Sequence, residues 1–170
     1  MQKVKIPVRL NFGRSATKQL GFDGYIPLSE LPRLAAFDAG DVMVEVVIAC
    51  DRDEQRAVRL KTIIRTQLQL SCQRCNEPYI HNVDLEVVYS PVKDDRSADN
   101  LPAEYEAVLL SDEDDVNLHQ LIEDEILLSL PYVPMHELAD CNQSADSSWG
   151  EIDAQEEKPN PFAVLANLKK

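Results

Sequence analysis

Between residues 58 and 70, Val58, Leu60, Thr62, Ile64, Thr66, Leu68 and Leu70 occupy every second position. Arg59, Lys61, Ile63, Arg65, Gln67 and Gln69 stand between them. A period of two sends the two sets to opposite faces of an extended chain, so the spacing predicts a long, half-buried strand. The preceding segment, 41–50, is rich in Val and Ile and reads as a strand buried on much of both faces. Tyr79, His81, Val83, Leu85, Val87 and Tyr89 alternate again further on. Short polar stretches at 51–55 and 71–78 separate the three runs, which together predict an antiparallel meander.

The flanks are less regular. Residues 3–10 alternate in part and read as a short strand, and 21–28 as a strand or loop. Residues 28–37 suit a short helix, with Pro32 restricted to its first turn. The polar stretch 91–103 reads as a loop, and 104–110 as an added strand. Acidic residues 111–115 suit a helix start. Leu118, Leu121, Ile122, Ile126 and Leu127 fall near helical spacing before Pro131, which predicts a helix over 116–129. The expected fold is α+β: a mainly antiparallel sheet built around 41–90, packed by that helix so that both apolar faces are buried. A single domain is expected over 1–135 and an acidic, flexible segment over 136–160. Residues 161–170 are expected to form a short helix or docking motif, its apolar stripe including Phe162 and Leu165.

Charge sharpens this division. Residues 1–83 hold 12 basic and 9 acidic side chains, and residues 84–170 hold 5 and 21, within a net charge of −13. So acidic a chain is a poor coat for a phosphate backbone, which needs clustered Lys and Arg. The acidic half, including Asp112, Glu113, Asp114 and Asp115, reads either as a solvated surface or as a face for a basic protein partner. No apolar run approaches the about 18 residues of a membrane span, and no export signal is apparent. A cytoplasmic, reducing setting is expected, with the four cysteines as thiols or metal ligands.

Two motifs carry candidate chemistry. Cys72 and Cys75 form a C-x-x-C in the turn between two expected strands, and such spacing lets both sulfurs reach one tetrahedral zinc ion. Cys141 and His136 are the candidate third and fourth ligands, whereas Cys50 reads as a small hydrophobe within a strand. With no second C-x-x-C, a metal-free turn without a cofactor is the expectation and zinc the alternative. A redox role is disfavoured, because a redox C-x-x-C normally opens a helix. The second motif is a basic row, Arg59, Lys61 and Arg65, with Arg74 beyond. It is expected to be a solvated strand face, and contact with RNA phosphates is its functional alternative. No aromatic platform for base stacking accompanies it. Glu123, Asp124 and Glu125 point about 100° apart on a helix, so no acid–base pair is expected from them. No catalytic constellation is apparent.

Four segments in order, MQKVKIPV, LSCQRCNEPY, EDEILLSLPYVPMH and KPNPFAVLANLKK, resemble the YceD family over essentially the whole chain. The resemblance implies a cytoplasmic, non-enzymatic accessory role in the synthesis, processing or stability of 23S (large-subunit) rRNA, and it supplies no catalytic residues. Many relatives carry a second cysteine pair in the segment matching 135–142, where this chain keeps only Cys141. The expected partner is a ribosomal protein, an rRNA-processing factor or the pre-ribosomal large subunit. Direct RNA binding by the basic row is the rival mode, and a zinc- or redox-dependent activity a third.

Overall fold

The computed structural model describes residues 4–38, 40–110 and 115–141. In chain order its strands are β1 (Val4–Lys5), β2 (Arg9–Asn11), β3 (Gly21–Pro27), β4 (Met43–Arg52), β5 (Val58–Ser71), β6 (Pro78–Val92), β7 (Tyr105–Leu109) and β8 (Asp115–Asn117). Its α-helices are α1 (Phe12–Thr17), α2 (Asp95–Ala98) and α3 (Leu118–Ser129). Six strands form one sheet in the order β1-β3-β4-β5-β6-β7, and β2 pairs with β8 in a separate two-stranded ribbon.

The meander is present as expected. β4, β5 and β6 pair antiparallel, with Ile64 opposite Val46 on one side and Leu85 on the other. β3 extends the antiparallel set, while β1 and β7 join the two edges in parallel. The period-two pattern translates directly into burial: Leu60, Thr62, Ile64, Thr66, Leu68 and Leu70 are buried, and Arg65, Gln67 and Gln69 are exposed. On β4, Val44, Val46, Ile48 and Cys50 are buried while Met43, Glu45 and Val47 face outward, so this strand is buried on one face and not on both.

One core joins this sheet face to α3 through Leu118, Ile122 and Ile126, spaced one helical turn apart. The Asn117 side chain caps the helix by accepting from Gln120 N at 3.2 Å. The expected acidic start is therefore displaced: Asp115 lies in β8, while Asp112, Glu113 and Asp114 fall outside the described residues. α3 ends where Leu130, preceding Pro131, adopts extended angles of φ −65° and ψ 139°.

Four segments depart from the sequence reading, the first being 91–103, where β6 runs on to Val92 and α2 follows in place of a plain loop. Residues 3–10 do not form one strand: β1 and β2 belong to different sheets, separated by a stretch containing Pro7, which has no N–H to offer a ladder. Residues 28–37 form two 3-10 turns, Leu28–Glu30 and Ala35–Phe37, instead of a helix. Leu31, before Pro32, is held at φ −113° and ψ 86°, which interrupts any helical path. The short α1 was not anticipated. The Asn11 side chain caps it, Phe12 and Ala16 are buried, and the helix lies against β4 and β5. Residues 138–140 form a further 3-10 turn beyond the expected domain boundary at 135. The expected flexible segment over 142–160 and the expected helix or docking motif over 161–170, with Phe162 and Leu165, lie outside the described residues.

β1 reaches β3 only because residue 24 lacks a side chain. Val4 pairs with Gly24, and a Cβ there would stand 1.7 Å from the Val4 carbonyl oxygen. Gly24→Ala is expected to unseat β1 and lower the unfolding free energy by about 1–3 kcal/mol, read from a denaturant midpoint. Gly21→Ala, where a Cβ would meet the Ile48 oxygen at 3.4 Å, is expected to cost less. Equal midpoints for the two variants would contradict this account.

Candidate functional site

The β5–β6 turn is built to present sulfur. Cys72 directly follows β5, and its N–H donates to Glu77 O at 2.9 Å. Asn76 N–H donates back to Cys72 O at 2.8 Å, and Asn76 sits at φ 61°, a left-handed conformation that asparagine tolerates better than most residues. These bonds curl the chain so that Cys72 and Cys75 lie on the same side.

The segment after α3 returns to this turn. Gln73 N–H donates to Pro134 O at 2.9 Å, and Arg74 Nη2 donates to His136 O at 3.4 Å. The His136 ring stacks on Tyr79 of β6, with centroids 5.7 Å apart and planes 29° from parallel. Its Nε2 is 3.6 Å from Cys75 Sγ. Cys141 follows the Leu138–Asp140 turn and completes the group. One donor atom from each of Cys72, Cys75, His136 and Cys141 lies within 4.8 Å of the others. All four candidate ligands are thus brought together, and all four cysteines of the chain are free thiols.

The thiols are unequal. Burial, the largest influence on Cys72, favours its neutral form, but backbone N–H groups of Cys75, Arg74 and His136 act together against it and bring its pKa down to about 6. Burial pushes the Cys75 thiol up, and the neighbouring Cys72 and Cys141 sulfurs push the same way. Cys50 stands apart on β4, inside the core, where burial and then Asp51 raise its thiol to about 11. Cys72 is fully buried at the end of a strand, a poor arrangement for thiol–disulfide exchange with a protein substrate.

The basic row is occupied by carboxylates. Arg59 makes a two-pronged pair with Asp51 of β4, and its Nη1 also reaches Tyr105 Oη at 3.5 Å. Lys61 Nζ is 3.9 Å from the same Asp51. Arg65 Nε donates to Asp84 of β6 at 3.1 Å. Arg74 turns away from the row to the His136 carbonyl. The acidic triplet of α3 docks the helix. Glu123 and Asp124 both bind one cation: Arg33 Nε donates to Glu123 at 2.8 Å and its Nη1 reaches Asp124 at 2.5 Å. Glu123 is buried and also accepts from Arg33 N at 2.7 Å, while Glu125 accepts from Tyr89 Oη at 3.2 Å. These bonds dock α3 onto the fold and leave no free acid–base pair. His119 is likewise structural, buried with Nε2 3.3 Å from Ile6 O. No period or spacing in the sequence marks Arg33 or Tyr79 as partners of these groups.

Two outcomes follow from this geometry. Asn76→Gly is expected to leave the denaturation midpoint nearly unchanged and Asn76→Val to cost about 1–2 kcal/mol; equal effects would remove the left-handed turn as a constraint. The hydrogen bond from Arg59 holds the Asp51 carboxyl below its ordinary range, partly offset by burial. A depressed folded-state pKa gives stability that is present above the unfolded value of about 4 and lost as pH falls through the folded value. Asp51→Asn is therefore expected to flatten the acid limb of a stability–pH curve below about pH 4. An unchanged limb would show that the pair contributes nothing.

The family of the large ribosomal RNA subunit accumulation protein YceD matches this chain over residues 60–169. The Large ribosomal RNA subunit accumulation protein YceD of Haemophilus influenzae is 38% identical over 172 residues, covering 99% of each chain. No solved structure matches. The matched region takes in the β5–β6 turn, α3 and the returning segment, and the chain belongs to the YceD family.

Proposed function

We propose that this protein is a non-enzymatic accessory factor in the accumulation of 23S (large-subunit) ribosomal RNA, acting in the cytoplasm through a protein partner. That partner is a ribosomal protein or an rRNA-processing factor on the pre-ribosomal large subunit. The observation that carries the rRNA role is family membership, over nearly the full length of a relative that bears that name.

The mode of action is inferred from charge. A phosphate-binding stripe needs cations free to replace counterions. Here Arg59, Lys61 and Arg65 each lie beside a carboxylate from a neighbouring strand, so RNA would have to compete with Asp51 and Asp84 for them. The excess charge is negative and lies in the second half of the chain, which favours a basic protein surface. Leu128, Tyr132 and Leu138 add exposed apolar area at the end of α3 and just beyond it, with exposures of 81%, 98% and 70%. Apolar side chains of that size suit a protein interface better than a phosphate backbone. No helix among the described residues is long and apolar enough to cross a membrane.

The test is the ratio of large- to small-subunit rRNA in cells lacking the protein. The ratio is expected to fall and to recover with the wild-type copy. A copy with Arg59, Lys61 and Arg65 changed to Gln is expected to restore it as well. A copy with Asp112, Glu113, Asp114 and Asp115 changed to Asn or Gln is expected to fail. An unchanged ratio in the deletion strain would overturn the rRNA role. Failure of the Gln copy alone, in a protein that still folds, would replace the protein-partner mode with direct RNA binding.

A further inference from the structure

We infer that Cys72, Cys75, His136 and Cys141 form a structural zinc site that clasps the β5–β6 turn to the segment following α3. The inference does not depend on the rRNA role. It rests on four observations that a metal-free turn leaves unconnected.

The first is convergence. The two cysteines of the turn meet a histidine and a cysteine from a segment about sixty residues away, and all four donor atoms lie within 4.8 Å of one another. The second is distance. Zinc binds thiolate at about 2.3 Å and imidazole at about 2.0–2.1 Å, so a tetrahedral angle sets sulfur and nitrogen roughly 3.6 Å apart. Cys75 Sγ and His136 Nε2 are separated by 3.6 Å. The third is the state of the ring. His136 turns Nε2 toward the Cys75 sulfur, and its face is held by stacking on Tyr79, so the nitrogen aimed into the cysteine group is fixed there as a ligand would be. The fourth is charge. Three thiolates and a neutral imidazole around a divalent ion leave a net charge of about −1. Arg74 lies between the two cysteines in sequence, its Nη2 donates to the His136 carbonyl, and its Nη1 is buried with no partner of its own. A guanidinium held here suits a negatively charged centre.

The donor set selects the metal. Three sulfurs and one nitrogen are too soft for magnesium or calcium, which take oxygen, and they match zinc in a tetrahedral site. Four protein ligands fill that geometry and leave no position for water or substrate, so the site holds structure and performs no hydrolysis. On binding, the thiol protons pass to solvent and the sulfurs coordinate as thiolates. Cys50, enclosed in the core away from the group, takes no part.

The full chain, purified under reducing conditions without chelator, is expected to carry about one zinc per molecule by elemental analysis. Cobalt(II) added after zinc removal is expected to give the intense visible bands of tetrahedral thiolate ligation and a sulfur-to-cobalt charge-transfer band. Cys72→Ser/Cys75→Ser is expected to lose both metals and Cys50→Ala to keep them. His136→Cys is expected to retain cobalt with a stronger charge-transfer band, a change that a merely packed histidine would not produce. Absence of zinc together with a failure of the wild-type chain to bind cobalt would overturn the proposal, whatever the variants do. Full zinc retention by the Cys72→Ser/Cys75→Ser chain would overturn it equally.

Discussion

The register between β5 and β6 is the constraint on which most of the structure depends. Twelve residue pairs join these strands, from Leu60 opposite Tyr89 to Ser71 opposite Pro78. A slip of one residue would turn Leu60, Ile64 and Leu68 from the core to solvent, a loss that no surface interaction in the molecule offsets. The same register determines where the hairpin turns. Cys72 follows the last paired residue, so burying the strand face also sets the position of the sulfur pair. Tyr79, at the start of β6, faces the His136 ring for the same reason. Packing and chemistry are coupled through one hairpin.

The two faces of the sheet do different work. The buried face collects α1 and α3 into one core, and a clamp of Arg33 on Glu123 and Asp124 ties α3 to the 3-10 region. The outer face carries cations that cross-strand acids already hold: Asp51 answers Arg59 and Lys61, and Asp84 answers Arg65. Of these pairs, the exposed Arg65–Asp84 adds little to stability, whereas Arg59–Asp51 is half-buried. Their consequence is functional, since a row of bases that reads as a nucleic-acid surface becomes a nearly neutral one. That face, so neutralised, supports the protein-partner mode proposed above over direct RNA binding.

Much of the fold was legible because its signals are local. Alternation on β5 and β6, the stripe of α3 and the Pro131 exit each depend on neighbours within a few residues. The misreadings share a different cause. At 28–37 the helical look of the sequence was overruled by the restriction Pro32 places on Leu31. At 12–17 the helix is too short to display a period, and only its Asn11 cap hints at it. On β4 the Val- and Ile-rich run conceals an alternation: Val44, Val46 and Ile48 face the core, while Met43, Glu45, Val47 and Ala49 face out.

The sequence alone determined which residues could act: a cysteine pair at a turn, two further candidate ligands, a basic row and a family likeness. It did so because residue type, period and motif spacing are written along one dimension. Whether those residues meet was decided by the tertiary structure. The return of the post-helix segment carries His136 to Cys75 across 61 positions, and the cross-strand register places Asp51 and Asp84 beside the basic row. Such encounters depend on where the chain is forced to travel to bury its apolar face, and only the folded chain contains that path.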